Sequence, residues 1–226
     1  FRSWSSSFEE LQNYPKLAPA ELEEALETAV SQTRFSMSRF GTGFKHIFST
    51  NHFYTEAPNN QWTNGFWTGQ LWLAYECSGD PEMKRTALAQ TQSFRYRIDH
   101  QIETDTHDLG FLYTPSCVAA WKLTGSEEAK ETAIKAARRL LERFHEKGQF
   151  LQAWGKPDEP GNYRLIIDCL LNLPLLYWAG EVTGDRIYRE KAEAHVHTAL
   201  SVLIRPDSSA YHTYYFDPET ELQDRK

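Results

Sequence analysis

Three stretches share one plan: LAYECSGDPEMKRTA at 73–87, AAWKLTGSEEAKETA at 119–133 and WAGEVTGDRIYREKA at 178–192. Each reads as the apolar end of a helix, then Ser/Thr-Gly-Asp/Ser, then a charged amphipathic helix. A glycine ending a helix takes the left-handed conformation without steric cost, so Gly79, Gly125 and Gly184 predict three helix stops of one kind. They stand 46 and 59 residues apart, a spacing suited to stacked helix pairs. Ten residues before them lie Gly69, Pro115 and Pro174, read as helix entrances because a proline in the first turn forfeits no hydrogen bond. Asn64, Asp108 and Asp168 fall just upstream of these entrances. Three repeats therefore set a polar side chain at the same end of an apolar helix. Apolar helices alternating with charged ones predict inner helices ringed by outer ones. The closed form is an α/α toroid, and the apolar-in, polar-out alternation favours it over an open solenoid of the tetratricopeptide kind.

Helical periodicity covers 19–39, 69–78, 81–99, 115–124, 126–147, 174–183 and 185–203, with Ser126 placed to cap its helix. Strand-like alternation is best developed in YHTYYFD at 211–217. With no low-complexity linker, a single domain over 1–226 is expected, and 40% hydrophobic residues suffice for its core. A net charge of −7 without any basic block argues against a nucleic-acid partner. The greasiest run, RLIIDCLLNLPLLYWAG at 164–180, falls short of the ~20 apolar residues of a membrane span and is broken by Asp168, Asn172 and Pro174. Cys77, Cys117 and Cys169, an odd number in apolar runs, read as free buried thiols of a reducing, cytoplasmic compartment. FRSWSSSFEE, which opens the chain without a methionine, lacks the apolar core of a signal peptide.

Asp108 in THDLGFLYTPS and Asp168 in LIIDCLLNLP hold equivalent repeat positions and are expected to face each other across the toroid's mouth. Two close carboxyls resist ionising together. Asp168, in the greasier sequence, is expected to keep the proton as a general acid, with Asp108 as its charged partner. The competing reading makes each aspartate a helix N-cap. No HExxH, paired CxxC or EF-hand loop is present, so neither a metal nor another cofactor is expected. Gly41-Thr42-Gly43 lacks the lysine and serine of a phosphate loop. His195 and His197 read as surface residues, and Cys169 as a buried thiol without a basic partner. QWTNGFW, HDLGFLY and YHTYYFD set aromatic rings beside amides and carboxyls, an arrangement that suits sugar faces.

QWTNGFWTGQLWLAYE, HDLGFLYTPS, LIIDCLLNLPLLYWA and YHTYYFD, in this order, resemble the unsaturated glucuronyl hydrolases of glycoside hydrolase family 88. The resemblance runs from roughly residue 20 to the end of the chain. It implies an all-α (α/α)6 barrel, a six-hairpin toroid of which this chain would supply the first half to two-thirds. The implied activity removes a 4,5-unsaturated uronic acid from the non-reducing end of lyase-generated glycosaminoglycan oligosaccharides of the chondroitin or hyaluronan disaccharide type. In that chemistry Asp168 would protonate C4 of the C4=C5 vinyl ether and then, ionised, assist water at C5. The carboxyl-separation rule of ordinary glycosidases does not apply. Asp108 would be its essential partner, and Trp62, Asn64, His107, Trp154 and His212 would line the sugar site. Arg164 reads more simply as an ion-pairing arginine. Family sequences continue past ETELQDRK into further glutamine, arginine and tryptophan contacts and closing helices, and a barrel left open there would expose apolar surface. The sister unsaturated rhamnogalacturonyl hydrolases share this barrel and chemistry, although HDLGF favours the glucuronyl group. A non-catalytic helical-repeat binding module would use both aspartates only as caps.

Overall fold

The computed structural model describes residues 16–157 and 159–220. FRSWSSSFEE and the end of ETELQDRK lie outside the described residues. The helices are α1 (Pro19–Phe40), α2 (Asn64–Ser78), α3 (Pro81–Asp99), α4 (Leu109–Tyr113), α5 (Ala119–Thr124), α6 (Glu127–Leu141), α7 (Pro174–Thr183) and α8 (Arg186–Leu203). Three antiparallel ribbons accompany them: β1 (Phe44–Thr50) with β2 (Phe53–Ala57), β3 (Phe144–His145) with β4 (Phe150–Leu151), and β5 (Arg164–Ile166) with β6 (Thr213–Tyr215).

The inner layer is α2, α4–α5 and α7, whose Leu71, Trp72, Leu109, Leu112, Tyr113, Leu175 and Leu176 are almost wholly buried. Each such side chain contributes about 1.5–3 kcal/mol by leaving water. Outer helices α3, α6 and α8 bury one face apiece, largely with alanine on α6 (Ala129, Ala133, Ala136, Ala137), which lets the helices approach closely. Polar tips of core aromatics find partners. Trp72 Nε1 donates to the Ser116 carbonyl at 3.2 Å and the Tyr113 hydroxyl to the Phe94 carbonyl at 3.0 Å. Leu22, Leu26 and Phe35 of α1 and Leu73 of α2 remain exposed. Among the described residues, no helix is long and apolar enough to cross a membrane.

The repeat is present as its sequence predicts. Gly79, Gly125 and Gly184 close their helices at φ 70°, 71° and 72°. The side chains of Asp80, Ser126 and Asp185 then accept from the amides of Glu82, Ala129 and Ile187, starting the outer helices. The entrances differ from expectation in two of three repeats. Gly69 lies inside α2, which begins at Asn64, and Pro115 lies within a π turn, Thr114–Val118, that joins α4 to α5. The wider turn absorbs the amide that proline lacks, so the inner helix runs through it. Pro174 does open α7, after a 3₁₀ run over Ile167–Asn172. Helix α6 stops at Leu141 because the chain turns into the β3–β4 hairpin, and β6 occupies the centre of YHTYYFD. Cys77 is exposed, contrary to the sequence reading, whereas Cys117 and Cys169 are buried; all three are free.

One glycine locks the two approaches together. A Cβ on Gly110 would lie 2.3 Å from the Cα of Asn172, whose Oδ1 accepts from the Phe111 amide at 2.9 Å. Backbone presses on backbone here, so no side chain can yield. Gly110→Ala is expected to destabilise the protein by about 3 kcal/mol, the upper range of overpacking, read by urea unfolding. A loss under about 1 kcal/mol would show that the contact relaxes.

Candidate active site

Asp108 immediately precedes α4 and Asp168 lies in the 3₁₀ run before α7, so both stand at the same end of the inner layer. Neither caps its helix. Asp108 Oδ2 instead accepts from the Thr106 hydroxyl at 2.8 Å, and Asp168 Oδ1 is buried without a hydrogen-bond partner among the described residues. Between them stands His107, with Nε2 at 3.4 Å from Asp108 Oδ1 and 3.5 Å from Asp168 Oδ1. Neither contact has hydrogen-bond geometry, yet the three groups share one cleft with donor atoms within 4.8 Å of one another. A divalent cation is the one cofactor that such a donor set would suit.

The burial of the two carboxyls reverses one expectation, that Asp168 is the more deeply covered. Ile167, Leu170 and Leu171, the greasy neighbours of Asp168 in sequence, turn outward and are 39%, 37% and 65% exposed. The Asp168 side chain keeps 35% exposure against 11% for Asp108. Burial accordingly raises Asp108 most firmly, to about 6, with the Thr106 hydrogen bond opposing and the Asp168 charge adding to it. Asp168 is also raised by burial, partly offset by its own amide and by the nearby His212. Burial thus favours the protonated form of both carboxyls, and Asp108 is the more deeply covered of the two. His107 is driven down to about 3 by burial, by His195 and by the Arg143 guanidinium. The two carboxyls pull the other way, but a ring this deeply removed from water beside a buried cation stays neutral.

The other sequence-predicted residues gather around the same mouth with different degrees of contact. Trp62 is 45% exposed and packs edge-on to Phe66 and tilted to Phe111, forming an aromatic rim. Trp154 is 42% exposed and is held beside Thr106 by a backbone bridge. His212 is exposed, its carbonyl accepting from the Ile167 amide at 2.9 Å, which keeps it next to Asp168. Asn64 is buried, and its Oδ1 accepts from the Gln61 amide, so it shapes the turn into α2; its Nδ2 has no partner among the described residues. Arg164 pairs with no carboxylate among the described residues. It donates to the Tyr215 hydroxyl and Asn162 Oδ1 and lies 4.6 Å from the centre of the Trp154 ring. The ion-pairing expectation is thus corrected: Arg164 backs the tryptophan.

Three residues of the site escaped the sequence reading. Arg97 donates to the carbonyls of Gln61, Ile102 and Glu103, and Arg143 to those of Gln152 and Gly155. Both guanidiniums are buried, tie down the loops around the mouth and lower the Asp108 pKa electrostatically. His195, expected on the surface, is fully buried on α8, with Nδ1 accepting from the Leu151 amide at 2.9 Å. The sequence holds one hint for it: His195 follows Ala192 by three positions, on the face that packs inward.

Inner helices backed by outer ones, with a carboxyl pair and exposed tryptophans at one end, define the α/α-hairpin class of proteins. The chain belongs to Glycosyl Hydrolase Family 88, whose model matches residues 37–225. It is 49% identical over 204 residues to an unsaturated chondroitin disaccharide hydrolase of Streptococcus pyogenes, a match covering 90% of this chain and 51% of that protein. The crystal structure of an unsaturated glucuronyl hydrolase from Streptococcus agalactiae superimposes with a TM-score of 0.91 at 47% identity, covering 95% of this chain and 54% of that one. A mutant of the Streptococcus agalactiae enzyme, solved in complex with dGlcA-GalNAc6S, aligns with a TM-score of 0.80 at 42% identity, covering 94% and 51% of the two chains. The fold is that of the (α/α)6 barrel, and the chain spans about half the length of the relatives it matches.

Proposed function

We propose that the full-length protein removes the 4,5-unsaturated uronic acid from the non-reducing end of glycosaminoglycan oligosaccharides of the chondroitin or hyaluronan type, and that 1–226 is part of its single catalytic barrel. The observation that carries this reading is the pair of carboxyls flanking His107 Nε2 at 3.4 and 3.5 Å, with exposed Trp154 bridged to the neighbouring Thr106. The Streptococcus relatives act on or hold ligands of this class. In the solved Streptococcus agalactiae mutants, two aspartates replaced by asparagine stand as far apart in sequence as Asp108 and Asp168 do here.

Asp168, the carboxyl open to the cleft, is the one placed to reach a sugar. A substrate that covers it removes its water and raises its pKa further, so that it takes up a proton beside the Asp108 charge. Asp168 then delivers that proton to C4, and the positive charge left at C5 is shared with the ring oxygen. As a carboxylate it takes a proton from water while the water oxygen bonds to C5. The net change adds H at C4 and OH at C5; the hemiketal opens and the rest of the oligosaccharide departs. Asp108 and neutral His107 hold the geometry, while Trp62 and Trp154 offer ring faces to sugar C–H bonds. No step needs a metal, so dialysis against EDTA is expected to leave turnover unchanged; activity lost and then restored by zinc or manganese would overturn that. The free thiols suit a reducing, cytoplasmic setting.

The test is incubation of the full-length protein with unsaturated chondroitin, hyaluronan and rhamnogalacturonan disaccharides, following the ultraviolet absorbance of the C4=C5 bond. Loss with the first two supports the proposal. Loss with the last alone would move the protein to the sister activity, and no loss with any would favour a binding module.

A further inference from the structure

His107 and His195 are both buried and each has an unpartnered ring nitrogen among the described residues. Their proton positions follow from what their other nitrogens meet. His195 Nδ1 accepts from the Leu151 amide at 2.9 Å, so that nitrogen is bare and the neutral ring carries its proton on Nε2. His195 Nε2–H is then a buried donor without an acceptor. His107 Nε2 faces two carboxylate oxygens, which select Nε2–H and leave Nδ1 a buried acceptor without a donor. Leaving such groups unpaired costs about 1–3 kcal/mol each.

One short stretch of chain anchors both rings. Two residues beyond Leu151, the Ala153 carbonyl accepts from the His107 amide at 2.8 Å. In an extended segment, the N–H of one residue and the C=O two residues along lie on the same edge. An orphan donor and an orphan acceptor thus belong to rings anchored on the same edge, and the His195 charge acts on His107. We propose that His195 is a positioning residue whose Nε2–H reaches His107 Nδ1 through one buried water, and so locks His107 in the tautomer that it presents to Asp108 and Asp168. The chain of donors starts at a backbone amide, which does not change protonation, so the lock holds throughout turnover. This role rests on the reading of Asp108 and Asp168 as the reacting carboxyls.

Labelling the histidines of the full-length protein with nitrogen-15 lets long-range nitrogen–proton spectra report each ring's tautomer without any assay of activity. Nε2–H is expected on both His107 and His195. His195→Asn keeps an acceptor for the Leu151 amide but is too short to reach His107. It should mix the His107 tautomers and lower kcat on an unsaturated chondroitin disaccharide roughly 10- to 100-fold, the range for losing an outer partner that orients a histidine, with KM within about twofold. His195→Gln carries an amide donor out to the Nε2 position and should restore most of kcat. A wild-type His107 in the Nδ1–H form, or His195→Asn with tautomer and kcat unchanged, would overturn the proposal. So would His195→Asn and His195→Gln equally impaired, the result of a merely structural histidine. If His195→Asn does not fold, the wild-type spectrum and His195→Gln decide. If the wild-type protein consumes no disaccharide, the functional reading fails, while the spectra still judge the contact.

Discussion

Asp168→Asn should lower turnover of an unsaturated chondroitin disaccharide roughly 10³- to 10⁴-fold in the full-length protein. The same group is asked to give a proton to C4 and to accept one from water, and general acid–base help is worth about 10²–10⁴-fold in a single step. An amide performs neither task. The fold should scarcely notice, because Asp168 caps no helix, its Oδ1 has no hydrogen-bond partner among the described residues, and its side chain is about a third exposed. Unfolding free energy is expected to stay within ~1 kcal/mol of wild type, as for partly exposed sites without special contacts. Steady-state kinetics with urea unfolding on the same preparation checks both halves. A variant that retains near-wild-type kcat, or one that unfolds, would remove Asp168 from the role of acid.

Asp108→Asn should separate activity from stability in the opposite sense. Burial lifts the Asp108 carboxyl from 3.8 to about 6. Between these values the native protein keeps a proton that the unfolded chain has released, so stability falls as pH rises through the window. Above about pH 6 the full cost of holding a buried carboxylate is present, up to ~3 kcal/mol for a shift of this size. The amide does not ionise and escapes that cost. It forfeits attraction to Arg143 and Arg97 and turns a donor toward His107, so a net gain of about 1–2 kcal/mol is expected at pH 7.5. At pH 4, where the wild-type carboxyl is protonated in the native state, the two proteins should differ little. Turnover should fall at least roughly 100-fold, since the neighbouring charge that favours a proton on Asp168 is gone. Urea unfolding at both pH values is the measurement. A variant less stable than wild type at pH 7.5, or a difference that shrinks as pH rises, would contradict the electrostatic account of the pair.

The helical hairpins were legible because their signals are local. Gly79, Gly125 and Gly184 each need only their own backbone conformation, and Asp80, Ser126 and Asp185 bond to amides two or three residues on. The spacing of those signals placed Asp108 and Asp168 at one end of the inner layer, and family motifs added the surrounding tryptophans and histidines. The ribbons were harder to read because two-residue strands such as β3 and β4 are held by a turn and by distant packing, not by alternation.

The sequence by itself determined the repeat, the stops of the inner helices, the starts of the outer ones and which two carboxyls lie together. Only the tertiary structure decided how each carboxyl is solvated. The apolar run around Asp168 suggested the deeper burial there, yet a 3₁₀ turn sends Ile167, Leu170 and Leu171 outward while Asp108 is covered from elsewhere in the chain. The same holds for Arg97, Arg143 and His195, which in sequence look like ordinary residues of charged helices. Removal from water is set by neighbours tens of residues away, and it is this removal, not the adjoining letters, that fixes where a proton rests.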